Sequence, residues 1–206
     1  MGNFLNTRNV IIDILKGIAI GLVVIGHVIQ FGTIGDGFWA NDLFKIIYSF
    51  HMPLFIFVSG YVSIKGITQR SVFETIKKRF FTLIIPFLAW AVIMYLYLIV
   101  GNFVLGSQTE LNFLKYIGRA ILYPGNSLWF LWVLFFLNIL LAVIFKLTPR
   151  LRIIFSIIFY IMILAIPLSD LFYIYMIKWL YPFFFVGAYL YIYKQHLKNI
   201  IKPIST

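Results

Sequence analysis

The sequence contains no cysteine among its 206 residues. This absence excludes disulfide bonds, thiolate nucleophiles and metal sites built from thiolates. Charged residues are also scarce, at 11% of the chain, whereas an ordinary soluble domain has about a quarter. Apolar residues make up 63%, and the mean hydropathy is +1.00. A chain of this length cannot hide so much apolar surface in one water-soluble core, so the composition predicts a polytopic membrane protein.

Six apolar runs approach the roughly 20 residues that a membrane-spanning helix needs. The first run carries internal charges and no small-residue cleavage site, so we expect a retained span rather than a signal peptide. No internal repeat or low-complexity linker divides the chain, and residues 1–206 are expected to form a single transmembrane domain. The predicted fold is an all-α bundle of about six spans: Val10–Phe31, Leu43–Ile64, Phe80–Gly101, Leu128–Phe145, Ile153–Leu168 and Phe172–Tyr193.

Charge alternates between the connecting segments. Most basic residues fall at the N-terminus, after the second span, after the fourth span and in the tail: Arg8; Lys65, Arg70, Lys77, Lys78 and Arg79; Lys146, Arg150 and Arg152; Lys194, Lys198 and Lys202. Four acids fall in the other connections: Asp36, Asp42, Glu110 and Asp170. Because Lys and Arg collect in cytoplasmic loops, the net charge of +11 indicates topology rather than a nucleic-acid partner. Both termini are predicted to be cytoplasmic.

The first span carries three ionisable residues within the stretch DILKGIAIGLVVIGH. Lys16 and His27 are eleven residues apart, which places them on nearly the same helix face, roughly 16 Å apart along the axis. Asp13 lies one turn before Lys16, close enough to pair with it, and both can be interfacial anchors. His27 falls in the outer half, as a polar packing group or a functional group. Gly17 and Gly21 would let a neighbouring helix approach closely.

The second span, in the stretch YSFHMPLFIFVSGY, supplies a second histidine. Because this span runs the other way, His51 is expected at a depth similar to that of His27. Pro53 removes a backbone donor and can kink the helix, which would open a polar pocket. The alternative is an ordinary kinked helix with an interfacial histidine. Two histidines without thiolates or clustered acids are too few to complete a metal site, so no metal is expected.

Two further segments have both an ordinary and a functional interpretation. In KKRFFTLIIPFLAW, Lys78 and Arg79 mark the cytoplasmic boundary of the third span. They serve there as anchors or as a phosphate site, because Arg can hold phosphate oxygens through two parallel hydrogen bonds. In SLWFLWVLFF, Trp129 and Trp132 open the fourth span and fit an aromatic belt. The connection before it holds the amphipathic segment LNFLKYIGRAIL, which is expected at the outer surface.

These segments occur together and in order. RNVIIDILKGIAIGLVVIGHV, FHMPLFIFVSGYV, KKRFFTLIIPFLAW and NSLWFLWVLFF resemble the acyltransferase-3 family of integral membrane acyltransferases. The resemblance extends over 8–137, and its first two motifs are the specific ones. The family often has a basic residue eleven positions before the first-helix histidine and an acid three positions earlier, which correspond here to Lys16, His27 and Asp13. The family frequently has Arg at the first of these positions, and Lys lacks the planar fork for bidentate binding.

The resemblance implies transfer of an acyl group, often acetyl, from acyl-coenzyme A to a hydroxyl of a cell-surface carbohydrate. The implied targets include lipopolysaccharide O-antigen, capsule, exopolysaccharide and peptidoglycan. The implied place is the cell inner (plasma) membrane, with membrane lipid and a carbohydrate or glycolipid acceptor as partners. Family members usually have about ten spans, so a chain of about six looks C-terminally truncated relative to the family.

On this resemblance, His27 is the general base that activates a sugar hydroxyl for attack on the acyl thioester. Lys16, balanced by Asp13, orients the donor or neutralises its charge. His51 positions the acceptor or stabilises the oxyanion. The remaining candidates are Ser59 and Trp129 as substrate-binding residues, and Lys78 and Arg79 for the phosphates of the donor.

Three other interpretations stay open at this point. The Asp–Lys pair and the two histidines can form a proton or solute relay in a small multi-pass transporter. The chain can instead be an inactive structural remnant of the family. If it is an enzyme, transfer can be direct or can pass through an acyl-enzyme, although Ser59 has no evident activating partner in the sequence.

Overall fold

The computed structural model describes residues 10–106, 112–124, 128–147 and 151–201. These residues are helical and include no strand, which confirms the predicted all-α fold. Arg8, Glu110, Arg150 and Lys202 lie outside the described residues, as does the side chain of Lys198, and the cytoplasmic termini stay a prediction. The α-helices in chain order are α1 Val10–Gly32, α2 Asp42–Gln69, α3 Val72–Arg79, α4 Ile85–Leu105, α5 Phe113–Leu122, α6 Trp129–Leu147, α7 Arg152–Ala165 and α8 Ile174–Ile201.

Five helical segments among the described residues are long and apolar enough to cross a membrane: Val10–Gly32, Asp42–Gln69, Val72–Leu105, Trp129–Lys146 and Leu171–His196. They correspond to five of the six predicted spans. The other predicted span, Ile153–Leu168, is the shorter helix α7 of 14 residues. At 1.5 Å per residue α7 is about 21 Å long, less than the ~30 Å of a hydrocarbon core.

The early end of α7 has a local cause. Ile166 is extended because Pro167 follows it, and the residue before a proline is disfavoured in a helix. The ammonium of Lys178, a residue that is only 8% exposed, donates hydrogen bonds to the carbonyl oxygens of Leu164 and Ile166. A cation at this position also complements the negative end of the helix dipole. Lys178 therefore caps the C-terminal end of α7, which explains why a lysine is buried there.

The third span is a continuous helix that includes a π-turn. Ser71 and Glu74 form a reciprocal capping box at its start. The π-helix Phe80–Ile84 joins α3 to α4, with Pro86 directly behind it. Because Pro86 has no N–H, it cannot bond the carbonyl four residues earlier, and the helix widens there. The hydroxyl of Thr82 donates to the carbonyl oxygen of Lys78 at 3.0 Å.

The core lies between α2, α6 and α8. Its buried side chains include Ile56 and Ile64 on α2, Leu137 and Leu141 on α6, and Leu180 and Phe184 on α8. The backbones of α2 and α8 approach very closely, because a Cβ on Gly60 would overlap the carbonyl of Phe184, and one on Gly187 that of Phe57. Tyr61 and Tyr191, which follow the two glycines, also meet, with ring centroids 5.2 Å apart.

The other helices pack around this core. α1 lies against α2, and a Cβ on Gly17 or Gly21 would meet no described atom within 4 Å. The close approach expected at those glycines occurs instead at Gly60 and Gly187. α5 runs back along α4, since Tyr95 contacts both Phe113 and Tyr116. The amphipathic segment LNFLKYIGRAIL contains α5, while its position at the outer surface stays a prediction.

We expect Gly187→Ala and Gly60→Ala to destabilise the bundle, because a methyl group at either position forces two backbones apart. Overpacking of this kind costs about 1–3 kcal/mol. Gly101→Ala is the matched control, because no described atom lies within 4 Å of a Cβ there. Alanine at that helical position should be neutral or stabilising by up to about 1 kcal/mol. Thermal unfolding in detergent measures the difference, and equal effects at Gly187 and Gly101 would contradict the proposed contact.

Candidate functional site

The C-terminal half of α1 and the N-terminal half of α2 share a cluster of polar side chains. The Oε1 atom of Gln30 lies 3.2 Å from Nδ1 of His27 and also accepts a hydrogen bond of 3.2 Å from the hydroxyl of Tyr48. The Tyr48 ring lies 4.7 Å from the ring of His51, between centroids. The structure therefore brings together the two predicted histidines through Gln30 and Tyr48. We call these four residues the histidine cluster.

Close packing positions Tyr48 in this cluster. Gly26 is buried, and a Cβ at that position would lie 2.7 Å from Cε2 of Tyr48. The ring of Phe44 stacks on the ring of Tyr48, with ring centroids 3.9 Å apart. The glycine before His27 is thus needed so that α1 can approach the Tyr48 ring. The consequence is that the hydroxyl of Tyr48 reaches across to Gln30 on the neighbouring helix.

The hydrogen bonds of the two imidazoles decide which ring nitrogen is available. Nδ1 of His51 lies 2.7 Å from the carbonyl oxygen of Ile47. A carbonyl can only accept, so Nδ1 carries the proton, and Nε2 of the neutral ring has the lone pair. At His27 the amide oxygen of Gln30 has the same effect on Nδ1. His27 is exposed, whereas His51 is only 4% exposed, so the ring of His27 is the less enclosed of the two.

Asp13 and Lys16 lie on α1, toward its N-terminal end, and both are half-buried. Lys16 faces the same way as His27, because eleven residues correspond to about three turns of an α-helix. The separation of roughly 16 Å along the axis keeps Lys16 out of contact with the histidine cluster. These two residues can therefore act on a substrate only if that substrate extends along α1.

Ser59 and Trp129 lie elsewhere. Ser59 is half-buried on α2 beside Gly60, about two turns beyond His51. Trp129 is the first residue of α6, and its ring lies 5.6 Å from that of Tyr173. In the part of the chain that the structure describes, neither residue has a hydrogen bond or ring contact with a histidine. The roles predicted for both stay predictions.

A second site lies at the start of α3. An open groove there is lined by Arg70, Glu74, Lys77, Lys78 and Phe81. Of the two predicted phosphate ligands, the structure places Lys78 in this groove, while Arg79 is half-buried and does not line it. The capping box orients the carboxylate of Glu74 toward Ser71, which leaves the basic side chains as the groove's anion-binding groups. We call this feature the basic groove.

Four participating residues were not predicted from the sequence. Gln30 lies three residues after His27, and Tyr48 lies three before His51. That spacing, which places side chains on one helix face, was the available signal. Arg70 and Lys77 had been assigned only to the positive cytoplasmic loop. No group of three or more His, Asp or Glu that could hold a metal ion occurs in the ranges that the structure describes.

Comparison with known proteins gives a consistent result. Residues 9–204 match a protein family described as an acyltransferase domain. The nodulation protein NolL of Mesorhizobium japonicum is 36% identical over 143 residues, which cover 68% of this chain and 36% of that protein. The NolL of Sinorhizobium fredii is 30% identical over 187 residues, which cover 88% of this chain and 48% of that protein. The chain thus spans about half or less of these relatives' length, and no solved structure matches it significantly.

The hydrogen bond to Ile47 predicts the tautomer of His51. In 15N-histidine NMR spectra of the protein in micelles at neutral pH, His51 should be protonated at Nδ1 and unprotonated at Nε2, because only Nδ1 faces an acceptor. The variant His51→Ala assigns the signal, and the exposed His196 serves as the reference ring. An Nε2-protonated His51 would contradict the described geometry.

Proposed function

Because the chain belongs to the acyltransferase-3 family of multi-pass membrane proteins, we propose that it takes part in transfer of an acyl group from acyl-coenzyme A to a hydroxyl of a cell-surface carbohydrate. Acetyl is the proposed acyl group, and the inner (plasma) membrane the proposed place. The observation that carries the proposal is the exposed His27, whose Nδ1 is engaged by Gln30, so that Nε2 is left as a base. The proposal treats residues 1–206 as one membrane domain.

In the proposed reaction, Nε2 of His27 removes the proton from the sugar hydroxyl as its oxygen attacks the thioester carbonyl carbon. The new C–O bond forms, the C–S bond breaks, and the proton passes from His27 to the departing sulfur of coenzyme A. Gln30 holds the Nδ1–H and stabilises the imidazolium that forms in between. Tyr48 fixes Gln30 through its hydroxyl.

His51 is proposed to position the acceptor. With its Nδ1–H bound to the carbonyl of Ile47, a neutral His51 offers only a lone pair at Nε2. A lone pair can accept a hydrogen bond from an acceptor hydroxyl, but it cannot stabilise an oxyanion. Of the two roles predicted for His51, the geometry therefore favours positioning. Its low exposure limits this role to a group that enters the contact between α1 and α2.

The donor is proposed to extend along α1 from the basic groove to His27. Arg70, Lys77 and Lys78 line the groove and can hold the phosphates of acyl-coenzyme A, and Arg79 follows directly. The basic groove is predicted to lie on one side of the membrane. Lys16, with Asp13 beside it, lies on α1 between that side and the histidine cluster. The long donor needs such a path, because the two sites lie at opposite ends of the spans.

The second candidate function is a proton or solute relay in a transporter. The hydrogen-bonded chain from His27 through Gln30 to Tyr48 is the observation that favours it. A relay predicts that substitution of His27 changes transport and leaves acylation of surface glycans unaltered. The family membership favours acyl transfer over this alternative.

Replacement of the proposed base tests the reaction. In membranes supplied with labelled acetyl-coenzyme A, His27→Gln should lower the rate of label transfer to surface glycan by about 10²–10⁴-fold, the usual contribution of a general base. His196→Gln is the control, because His196 is an exposed histidine at the other end of the bundle. Equal transfer by His27→Gln and the unaltered protein, at equal amounts in the membrane, would rule out this role.

Neutralisation of the basic groove tests donor binding. The triple variant Arg70→Gln, Lys77→Gln and Lys78→Gln should raise the KM for acetyl-coenzyme A about tenfold with little change in kcat, as expected when binding contacts are lost. Lys45→Gln is the control, since Lys45 pairs with Asp42 at the other end of α2. Added salt should raise the KM of the unaltered protein more than that of the variant. An unchanged KM would place the phosphates elsewhere.

A further inference from the structure

A cleft between α4 and α5 lies apart from both sites described above. It encloses about 80 Å³ and is open on one side, so a ligand there lies only partly within the cleft. Its lining combines the rings of Trp90, Tyr116 and Tyr123 with the guanidinium of Arg119 and apolar side chains of α4. These three rings, the ring of Phe87 and Arg119 give the cleft both aromatic and cationic groups.

The two walls of this cleft are held by specific contacts. Tyr95 on α4 packs against Phe113 and Tyr116 on α5, with ring centroids 5.2 and 5.3 Å apart. Asn112 caps α5, because its side-chain oxygen accepts a 3.0 Å hydrogen bond from the N–H of Lys115. Phe87, at the base of the cleft, rests on Trp132 of α6, with centroids 5.6 Å apart. α5 is therefore fixed along α4 with the cleft between them.

Arg119 gives the cleft a positive charge. Arg119 is exposed and lines the cleft, and no carboxylate forms an ion pair with it in the described ranges. A guanidinium binds phosphate or carboxylate through two parallel hydrogen bonds. Aromatic rings beside it suit the apolar face of a sugar, and the hydroxyls of Tyr116 and Tyr123 can bond sugar hydroxyls. An anionic sugar satisfies all of these groups at once.

We propose that this cleft binds an anionic sugar unit of the acceptor glycan, with its phosphate or carboxylate on Arg119 and its ring against Trp90 and Tyr123. The role as acceptor subsite rests on the proposed function. The cleft lies across the first turn of α6 from the histidine cluster. Leu128 lines it, and Phe130 contacts Phe55, which is one turn beyond His51. We expect the rest of the glycan to extend past the start of α6 toward the histidine cluster.

Binding can be measured without any acyl transfer. The full chain in nanodiscs of neutral lipid is titrated with a glucuronate-containing oligosaccharide, with glucose 1-phosphate and with a neutral glucose oligosaccharide. Tryptophan fluorescence reports binding, since Trp90 lines the cleft. Both anionic sugars should bind more tightly than the neutral one, and the tighter of the two shows whether the charge is a uronate or a sugar phosphate. Equal affinity for neutral and anionic sugars would overturn the proposal.

Variants locate the binding site. Arg119→Gln should weaken binding of the anionic sugars about tenfold or more, because charge-assisted hydrogen bonds are lost. Lys115, one turn earlier on α5, is exposed and does not line the cleft. The affinity of Lys115→Gln for the anionic sugars should therefore stay within about twofold of that of the unaltered protein. Tyr123→Ala removes an exposed ring and should weaken neutral and anionic sugars alike. The proposal would be overturned if Arg119→Gln bound the anionic sugars as tightly as the unaltered protein does. It would also be overturned if inorganic phosphate bound as tightly as glucose 1-phosphate.

These experiments distinguish failure of the sugar-binding proposal from failure of the proposed acyltransferase function. If the protein binds anionic sugars through Arg119 but transfers no acyl group, the cleft stands and the acyltransferase role fails. If acyl transfer depends on His27 while Arg119→Gln leaves the acceptor KM unchanged, the role stands and the cleft fails. If both hold, Arg119→Gln raises the acceptor KM and leaves the donor KM unaltered.

Discussion

The contact between the backbones of α2 and α8 is the one on which the rest of the structure depends. In lipid, apolar side chains gain little by leaving hydrocarbon for protein, so helices associate through close van der Waals packing. Gly60 and Gly187 allow the two backbones to touch, and α6 completes a core around Ile56, Leu137 and Phe184. α2 is thereby held as a rigid support, and it is α2 that carries Tyr48 and His51.

A second constraint is that polar groups within a span must find partners inside the protein. The side chains of His51, Thr82 and Lys178 each donate to a backbone carbonyl of a helix. At Thr82 and Lys178 these bonds go to carbonyls near the C-terminal ends of α3 and α7. At His51 the same kind of bond has a chemical consequence, because it occupies Nδ1 and leaves Nε2 as the available nitrogen. One structural rule thus also sets the tautomer of a candidate site residue.

The membership of the acyltransferase-3 family and the two sites of the described chain fit one another. The basic groove suits a phosphate-bearing donor, and the histidine cluster suits proton transfer from a hydroxyl. The histidine cluster lies near the start of α2 and the basic groove follows its end. His27 is exposed on α1. The resemblance of the first two motifs therefore led to the correct family.

The sequence alone was sufficient to determine the membrane class, the positions of the long helices and the family. Composition and helix-forming apolar runs depend on residues that are close in the chain, and so does the shared face of Lys16 and His27. Even the short α7 had a local signal in Pro167. The spacing of Gly17 and Gly21 was misleading, because a pair of small residues does not identify the helix that will use it.

Only the tertiary structure decided which distant residues meet. It placed Gly26 against Tyr48 and brought Gln30 within hydrogen-bond distance of His27 on α1 and Tyr48 on α2. It also placed Arg119 and Trp90 in the lining of one cleft. It also put Lys78 in the basic groove while Arg79 turned away from it. The physical reason is that helix formation is governed by neighbours along the chain, whereas a contact between helices depends on the axial position and rotation of both. Hydropathy and residue spacing describe one helix at a time. They do not give the axial position or the rotation of one helix relative to another.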